Sequence, residues 1–178
     1  QPGSSIKIVN YSYALAHGFT PATILDDSPS IFRVAGLPAY TPRNYDGEFR
    51  GRLTIRSALA QSRNIPAVKV LASYGVTKMI EQGSAMGITS WQDPSNYGLS
   101  LTLGGGDVKL IDLAQVFTTV AGMGKKPDIT AITLVKNYKE ELLEESGDLN
   151  FPEVLDPRVA YQLIDILKDN NARAPEFG

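Results

Sequence analysis

Apolar residues recur at helical spacing through Ile6, Val9, Tyr13 and Ala16, then stop at Gly18, which predicts a helix over residues 5–16 with a glycine just past its end. That stretch is apolar on most sides, with Ile8, Tyr11, Ala14 and Leu15 added, as in a helix at the centre of a domain. Thr20 before Pro21 predicts a short helix over 20–25, with Thr20 as N-cap and Pro21 at its first position. Residues 26–51 are rich in Pro, Gly, Asp and Asn and read as loops with brief strands. Thr54 opens a helix through Ala60, Ser62-Arg63-Asn64 interrupts it, and Pro66 restarts one that runs to Tyr74 and ends at Gly75. Thr77 is placed as the cap of a helix to Met86, closed by Gly87. After a polar loop over 90–96 come a short apolar run at 99–103 and three glycines at 104–106. These are read as a tight turn feeding a buried, strongly apolar helix that begins at Asp107 or Lys109 and ends near Ala121. Residues 129–135 and 141–143 read as two strands joined by a turn over 137–140. Asp156 with Pro157 starts a last helix reaching Asp169. The expected fold is mostly α, with a small antiparallel hairpin.

Composition narrows the function classes. The chain has 178 residues, 43% of them hydrophobic and 20% charged, the proportions of an ordinary globular domain. Its net charge of −2 gives no basic patch and so no case for nucleic acid. No apolar run approaches the roughly 18 residues that would span a bilayer, and no signal peptide is recognisable. The first residues already lie inside a motif, so the chain reads as an excised piece. The absence of cysteine excludes disulfide and thiolate chemistry and suits an oxidising, extracytoplasmic setting. With one histidine, His17, placed as a helix-end residue, no zinc site is expected.

The candidate chemistry lies at two places. Ser4 and Lys7 stand three positions apart at a helix start, so one turn sets an amine beside a hydroxyl, the minimum for activating an alcohol. The unpaired N–H groups and positive dipole end of the helix favour the anion formed when Ser4 attacks a carbonyl. Pro2-Gly3 provides a sharp, Cβ-free approach just ahead of it. A Lys buried there would disfavour its charged form and could act as base. Ser62-Arg63-Asn64 puts a hydroxyl and an amide two residues apart, able to relay a proton and to hold a substrate carbonyl. Both segments also fit plainer roles: a capped helix with a solvated lysine, and a helix C-terminus in which Asn64 takes the cap conformation. The triple glycine is not a phosphate loop, because no Gly-Lys-Ser/Thr follows it. Glu140, Glu141, Glu144 and Glu145 are expected to be the solvated face of the hairpin.

Three longer strings carry a family resemblance: Pro2-Gly3-Ser4-Ser5-Ile6-Lys7, residues 44–51 (Asn-Tyr-Asp-Gly-Glu-Phe-Arg-Gly), and residues 57–69 around Ser62-Arg63-Asn64. Together they resemble the transpeptidase domain of bifunctional, class A penicillin-binding proteins, and residues 99–104 and 110–124 are similar to its central helical region. The resemblance implies that Ser4 is the acylated nucleophile, Lys7 the general base, Ser62 the proton relay and Asn64 a substrate-binding amide. Arg63 falls at a position that varies in the family. The implied reaction is D,D-transpeptidation of peptidoglycan stem peptides, inhibited covalently by β-lactams. It needs no metal or cofactor and takes place at the extracytoplasmic face of the bacterial cell membrane, with membrane contact only through segments absent here. Alternatives are a serine β-lactamase, a D,D-carboxypeptidase or a non-catalytic helical binding module. The family's third motif, Lys-Thr/Ser-Gly on a β-strand, does not occur in the chain. The expectation is therefore a partial domain over residues 1–178, truncated at both ends. It would be the helical part of an α+β, β-lactamase-like fold without its main five-stranded sheet, and inactive or nearly so by itself.

Overall fold

The computed structural model describes residues 1–33, 38–145 and 150–178. A 3-10 turn, Gly3–Ile6, runs directly into helix α1, Lys7–Ala16. Strand β1, Ile24–Asp27, pairs antiparallel with β2, Gly51–Thr54, in the register Ile24↔Thr54 to Asp27↔Gly51. Helices α2 (Ile55–Ala60), α3 (Asn64–Tyr74) and α4 (Val76–Ala85) follow. Then come 3-10 turns Pro94–Asn96 and Leu99–Leu103, and helix α5, Leu110–Ala121. A hairpin of β3 (Leu134–Lys136) and β4 (Leu142–Glu145) leads to α6 (Pro157–Leu167) and α7 (Asn170–Phe177). No helix among the described residues is long and apolar enough to cross a membrane.

α1 is the central helix, as its all-round apolarity predicts: Ile8, Val9, Tyr11, Ala14 and Leu15 are buried, and α3, α4 and α6 pack around it. Its one interior amide is fully used. Asn10 donates to the Ala67 carbonyl (2.8 Å) and to Thr102 Oγ1 (2.6 Å), and its Oδ1 accepts the Tyr74 hydroxyl (2.6 Å). A satisfied buried network of this kind fixes the register of α1 against α3 and the 99–103 turn, because any slip would orphan polar groups in the core.

The helix starts at Thr54 and Asp156 are as read: each side chain accepts a backbone N–H of the first turn, from Ser57 and Arg158 respectively. His17 does sit at the end of α1, its ring against the Tyr13 carbonyl and stacked on the Tyr13 ring.

Five expectations need correction. Residues 20–25 are not a helix: a turn closed by Thr23 N–H to the Thr20 carbonyl leads into β1, whose pairing with β2 outweighs the local cap signals. The loop reading over 26–51 holds around a lone bridge between Phe32 and Tyr40, with residues 34–37 outside those described. α4 starts at Val76 with Gly75 as its cap residue, so Thr77 is already inside. α5 begins after Lys109 but is only half buried: Asp112, Val116, Thr119 and Val120 point inward, whereas Leu110 is 83% and Ile111 52% exposed. The last helix ends at Leu167, and a further one, α7, follows; its Asp169 cap accepts the Ala172 N–H. The hairpin is shorter than expected on its first strand, and β4 with its glutamates is exposed throughout.

Candidate active site

Gly3–Ile6 is wound as a 3-10 turn, and in that geometry side chains at i and i+3 eclipse one another. Ser4 and Lys7 are such a pair, joined along the backbone by the Lys7 N–H donating to the Ser4 carbonyl. Ser4 is exposed and borders the same hollow as Lys7, Ser62 and Phe117, and among the described residues it makes no side-chain hydrogen bond. The neighbouring Ser5 hydroxyl is engaged differently, donating to the Pro2 carbonyl at 2.6 Å.

The second segment arrives through a helix terminus. α2 ends in a Schellman turn: Arg63 N–H donates to the Ala58 carbonyl and Ser62 N–H to the Leu59 carbonyl, with Ser62 itself left-handed at φ 54°. Serine in that conformation is strained, and the turn directs its carbonyl and its hydroxyl the same way. The plain reading of this segment as a helix C-terminus and the functional reading therefore describe one structure, except that Ser62 and not Asn64 takes the cap conformation. Asn44 then caps the next helix from a distance, its Oδ1 accepting the backbone N–H groups of Asn64 (2.8 Å) and Ile65 (3.3 Å).

The two segments meet at Lys7. Its Nζ lies 2.5 Å from the Ser62 carbonyl oxygen, 3.0 Å from Ser62 Oγ and 2.7 Å from Asn64 Oδ1, across 55 to 57 residues of chain. Lys7 is 1% exposed. Burial, helped by the Arg63 cation and opposed by Glu176, lowers its pKa from 10.5 to about 7. Nζ donates to all three acceptors, the Ser62 carbonyl, Ser62 Oγ and Asn64 Oδ1, and it can take up a proton only after it has released one of its own. The sign of the linkage is adverse to stability. Unfolded Lys7 holds its proton up to about 10.5 and folded Lys7 only to about 7, so the lysine weakens the fold progressively as pH falls through that window. Asn64 also donates from Nδ2 to the Arg43 carbonyl (2.8 Å), which leaves one amide N–H for a ligand.

Two features were not read from the sequence. Arg63, placed at a freely varying position, is buried with its side chain 1% exposed. Its Nε donates to Asp27 Oδ2 (3.0 Å), Nη1 to Asp46 Oδ2 (2.7 Å) and Glu176 Oε2 (3.0 Å), and Nη2 to the Glu48 carbonyl. No local pattern signals this, since its partners lie 15 to 113 residues away. The second is Gly104, the first glycine of the triple. It is left-handed at φ 93°, and a Cβ there would stand 2.4 Å from the Gly3 nitrogen. Gly104→Ala is thus expected to push the turn ahead of Ser4 out of place. Stability should fall by about 1–3 kcal/mol. An unchanged melting temperature would show that the turn ahead of Ser4 absorbs the added Cβ without strain.

The sequence matches a known family. The penicillin binding protein transpeptidase domain matches residues 1–157. The chain is 31% identical over 175 residues to penicillin-binding protein 1A of Neisseria flavescens, covering 95% of this chain and 22% of that protein. It is 28% identical to penicillin-binding protein 1A of Rickettsia typhi, covering 99% and 22%. The chain thus spans about a fifth of the length of these curated relatives. Among solved structures, penicillin-binding protein 1A of Haemophilus influenzae superposes with a TM-score of 0.84 at 21% identity, covering 99% of this chain and 30% of that one. Penicillin-binding protein A of M. tuberculosis, in its imipenem acyl-enzyme complex, superposes at 0.78 and 20%, covering 93% and 42%. The mostly helical fold with two small strand pairs agrees with part of such an α+β domain. From sequence and fold together, the chain belongs to the penicillin-binding protein transpeptidase domain family.

Proposed function

We propose that this chain carries the acylation site of a peptidoglycan D,D-transpeptidase, with Ser4 as nucleophile, Lys7 as general base, Ser62 as proton relay and Asn64 as a substrate-binding amide. The observation that carries the reading is the convergence of Ser62 and Asn64 on the buried Lys7 amine, which also borders the hollow of Ser4. Two unrelated helix ends have no reason to meet in this way, whereas one shared substrate requires it. Ser4 Oγ attacks the carbonyl carbon of the D-Ala-D-Ala bond of a stem peptide, and its proton passes to the neutral Lys7 amine. Ser62, hydrogen-bonded to that amine, hands a proton to the departing D-alanine nitrogen, leaving an ester on Ser4. The amine of a second stem peptide then takes the acyl group. A β-lactam enters by the same attack but carries its leaving group within its ring, so the ester persists; the imipenem acyl-enzyme of the M. tuberculosis neighbour is that outcome in a related fold.

No Lys-Thr/Ser-Gly triplet occurs in the 178 residues. In this reading the chain supplies the helical part of the site within a longer, membrane-anchored protein at the extracytoplasmic face of the cell. A second oxyanion donor then comes from outside these residues, and the 178 residues alone should acylate about 10²–10³ times more slowly than the full-length protein. The direct test is labelling of the full-length protein with a fluorescent penicillin, followed by incubation with stem peptides. Label on the peptide containing Ser4 together with cross-linked product supports the proposal; absence of label overturns it, and hydrolysis without cross-linking would make it a carboxypeptidase.

The pH dependence has a definite sign. Lys7 serves as base only when neutral, so the acylation rate of the full-length protein by a penicillin is expected to rise through pH of about 7 and level off above it. Stopped-flow acylation across that range checks this, and a flat profile would remove Lys7 as the base.

A further inference from the structure

Behind the second motif, the side chains of the segment alternate in direction. Ser62 and Asn64 turn to Lys7, while Arg63 between them turns away into a cage of carboxylates. The cage draws on three distant parts of the chain: Asp27 at the end of β1, Asp46 and the Glu48 carbonyl in the loop before β2, and Glu176 in α7. Arg50 closes it from outside, its Nη2 on Glu176 Oε2 at 2.8 Å and its Nη1 on the Pro175 carbonyl at 3.1 Å. Glu176 therefore joins two guanidinium groups and ties α7 to the turn that holds the site. Arg63 beside Asp46 keeps that carboxyl below the usual carboxylate range.

We propose that Arg63 and Glu176 are positioning residues: their clasp fixes Ser62 and Asn64 against Lys7, and the balance of its charges sets how readily Lys7 gives up its proton. This rests on the reading of Lys7 as the base. The groups facing Lys7 bear it out element by element. The α2–α3 turn brings Ser62, Arg63 and Asn64; α7 brings Glu176, and Arg173 on the border of the same hollow. Asp27, Asp46 and Arg50 stand behind Arg63, and Tyr11 lies one turn further along α1. From α5 and α6 come only the apolar Phe117 and Leu167. Glu176 is the carboxylate that opposes the Arg63 cation in its effect on the buried amine. Its charge is in turn shared with Arg50, which makes Arg50 a second handle on the same balance.

The test uses two variants of opposite charge in the full-length protein, with the pH profile of acylation by a penicillin as readout. Glu176→Gln removes the anion but leaves Arg63 seated on Asp27, Asp46 and Glu48, so the rising limb should move to lower pH by roughly half a unit or more. Arg50→Gln, at a partly exposed residue, frees the Glu176 charge, and the limb should move to higher pH. General loosening of the loop would lower the plateau in both variants without moving the limb in opposite directions. A limb that stays in place in either variant, or moves the same way in both, overturns the clasp. A wild-type profile with no limb near pH 7 would instead overturn the base assignment itself.

Discussion

Ser4→Ala in the full-length protein abolishes covalent labelling by a penicillin, lowering the acylation rate by at least about 10³-fold, while the melting temperature changes by no more than about 2 °C. The size of the first effect follows from the inventory of hydroxyls around Lys7. Ser62 Oγ is held at 3.0 Å from the amine, with the Ser62 backbone strained in its turn, and Ser5 Oγ is committed to the Pro2 carbonyl. Ser4 alone is exposed to the hollow, stands one 3-10 turn from Lys7 and follows a glycine that leaves room for substrate. The small second effect follows from its exposure, since removing one solvated hydroxyl opens no cavity and orphans no partner. Mass spectrometry of tryptic peptides after labelling reads the outcome. Wild-type stoichiometry in the alanine variant would place the nucleophile elsewhere and would end the proposal for Ser4.

Much of this site was legible because each half carries a strong local signal. An all-round apolar helix with a lysine at its start fits a central helix with a buried amine as well as a capped helix with a solvated one, and in residues 7–15 the first is found. A polar triplet between two helix-forming runs can only be a turn, and the Schellman geometry of Ser62 fulfils it. What local signals could not supply was the choice between competing partners. Thr20-Pro21 has the chemistry of a helix start, but pairing Ile24 through Asp27 with Gly51 through Thr54 satisfies more backbone, and the cap signal loses. α5 reads as buried because it is strongly apolar, yet burial also needs a surface to pack against, and Leu110 and Ile111 stay largely exposed among the described residues. α7 runs against its local signal, because Pro175 stands inside the helix and lacks the N–H that a helical residue donates; the pairing of Glu176 with Arg63 and Arg50 holds the segment there. Arg63 shows the limit most clearly. At a position that varies in the resembling family, Arg63 carries no local signal, and only the long-range approach of Asp27, Asp46 and Glu176 makes it the buried anchor of the site.

Lys7→Arg is the sharper test of mechanism, because it keeps the positive charge and removes the ability to be neutral. Arginine does not lose its proton at accessible pH, so it can neither take the proton of Ser4 nor return one through Ser62. Acylation is expected to fall by about 10²–10⁴-fold, and the residual activity should lack the limb near pH 7. Two further influences have to be separated from this one. The guanidinium is larger than the ammonium and enters a site that is 1% exposed, so part of any loss is strain. Lys7→Met supplies the control: similar in length and uncharged, it removes the adverse linkage of the buried amine but leaves the Ser62 and Asn64 acceptors without their donor, so thermal melting checks its fold; it has no basic lone pair and should acylate as poorly as the arginine variant. If the methionine variant is folded and inactive and the arginine variant is equally inactive, charge alone is not what Lys7 contributes. If instead the arginine variant acylates within tenfold of wild type and the methionine variant does not, Lys7 acts as a fixed cation that steadies the developing oxyanion, and the proton of Ser4 must leave by another route.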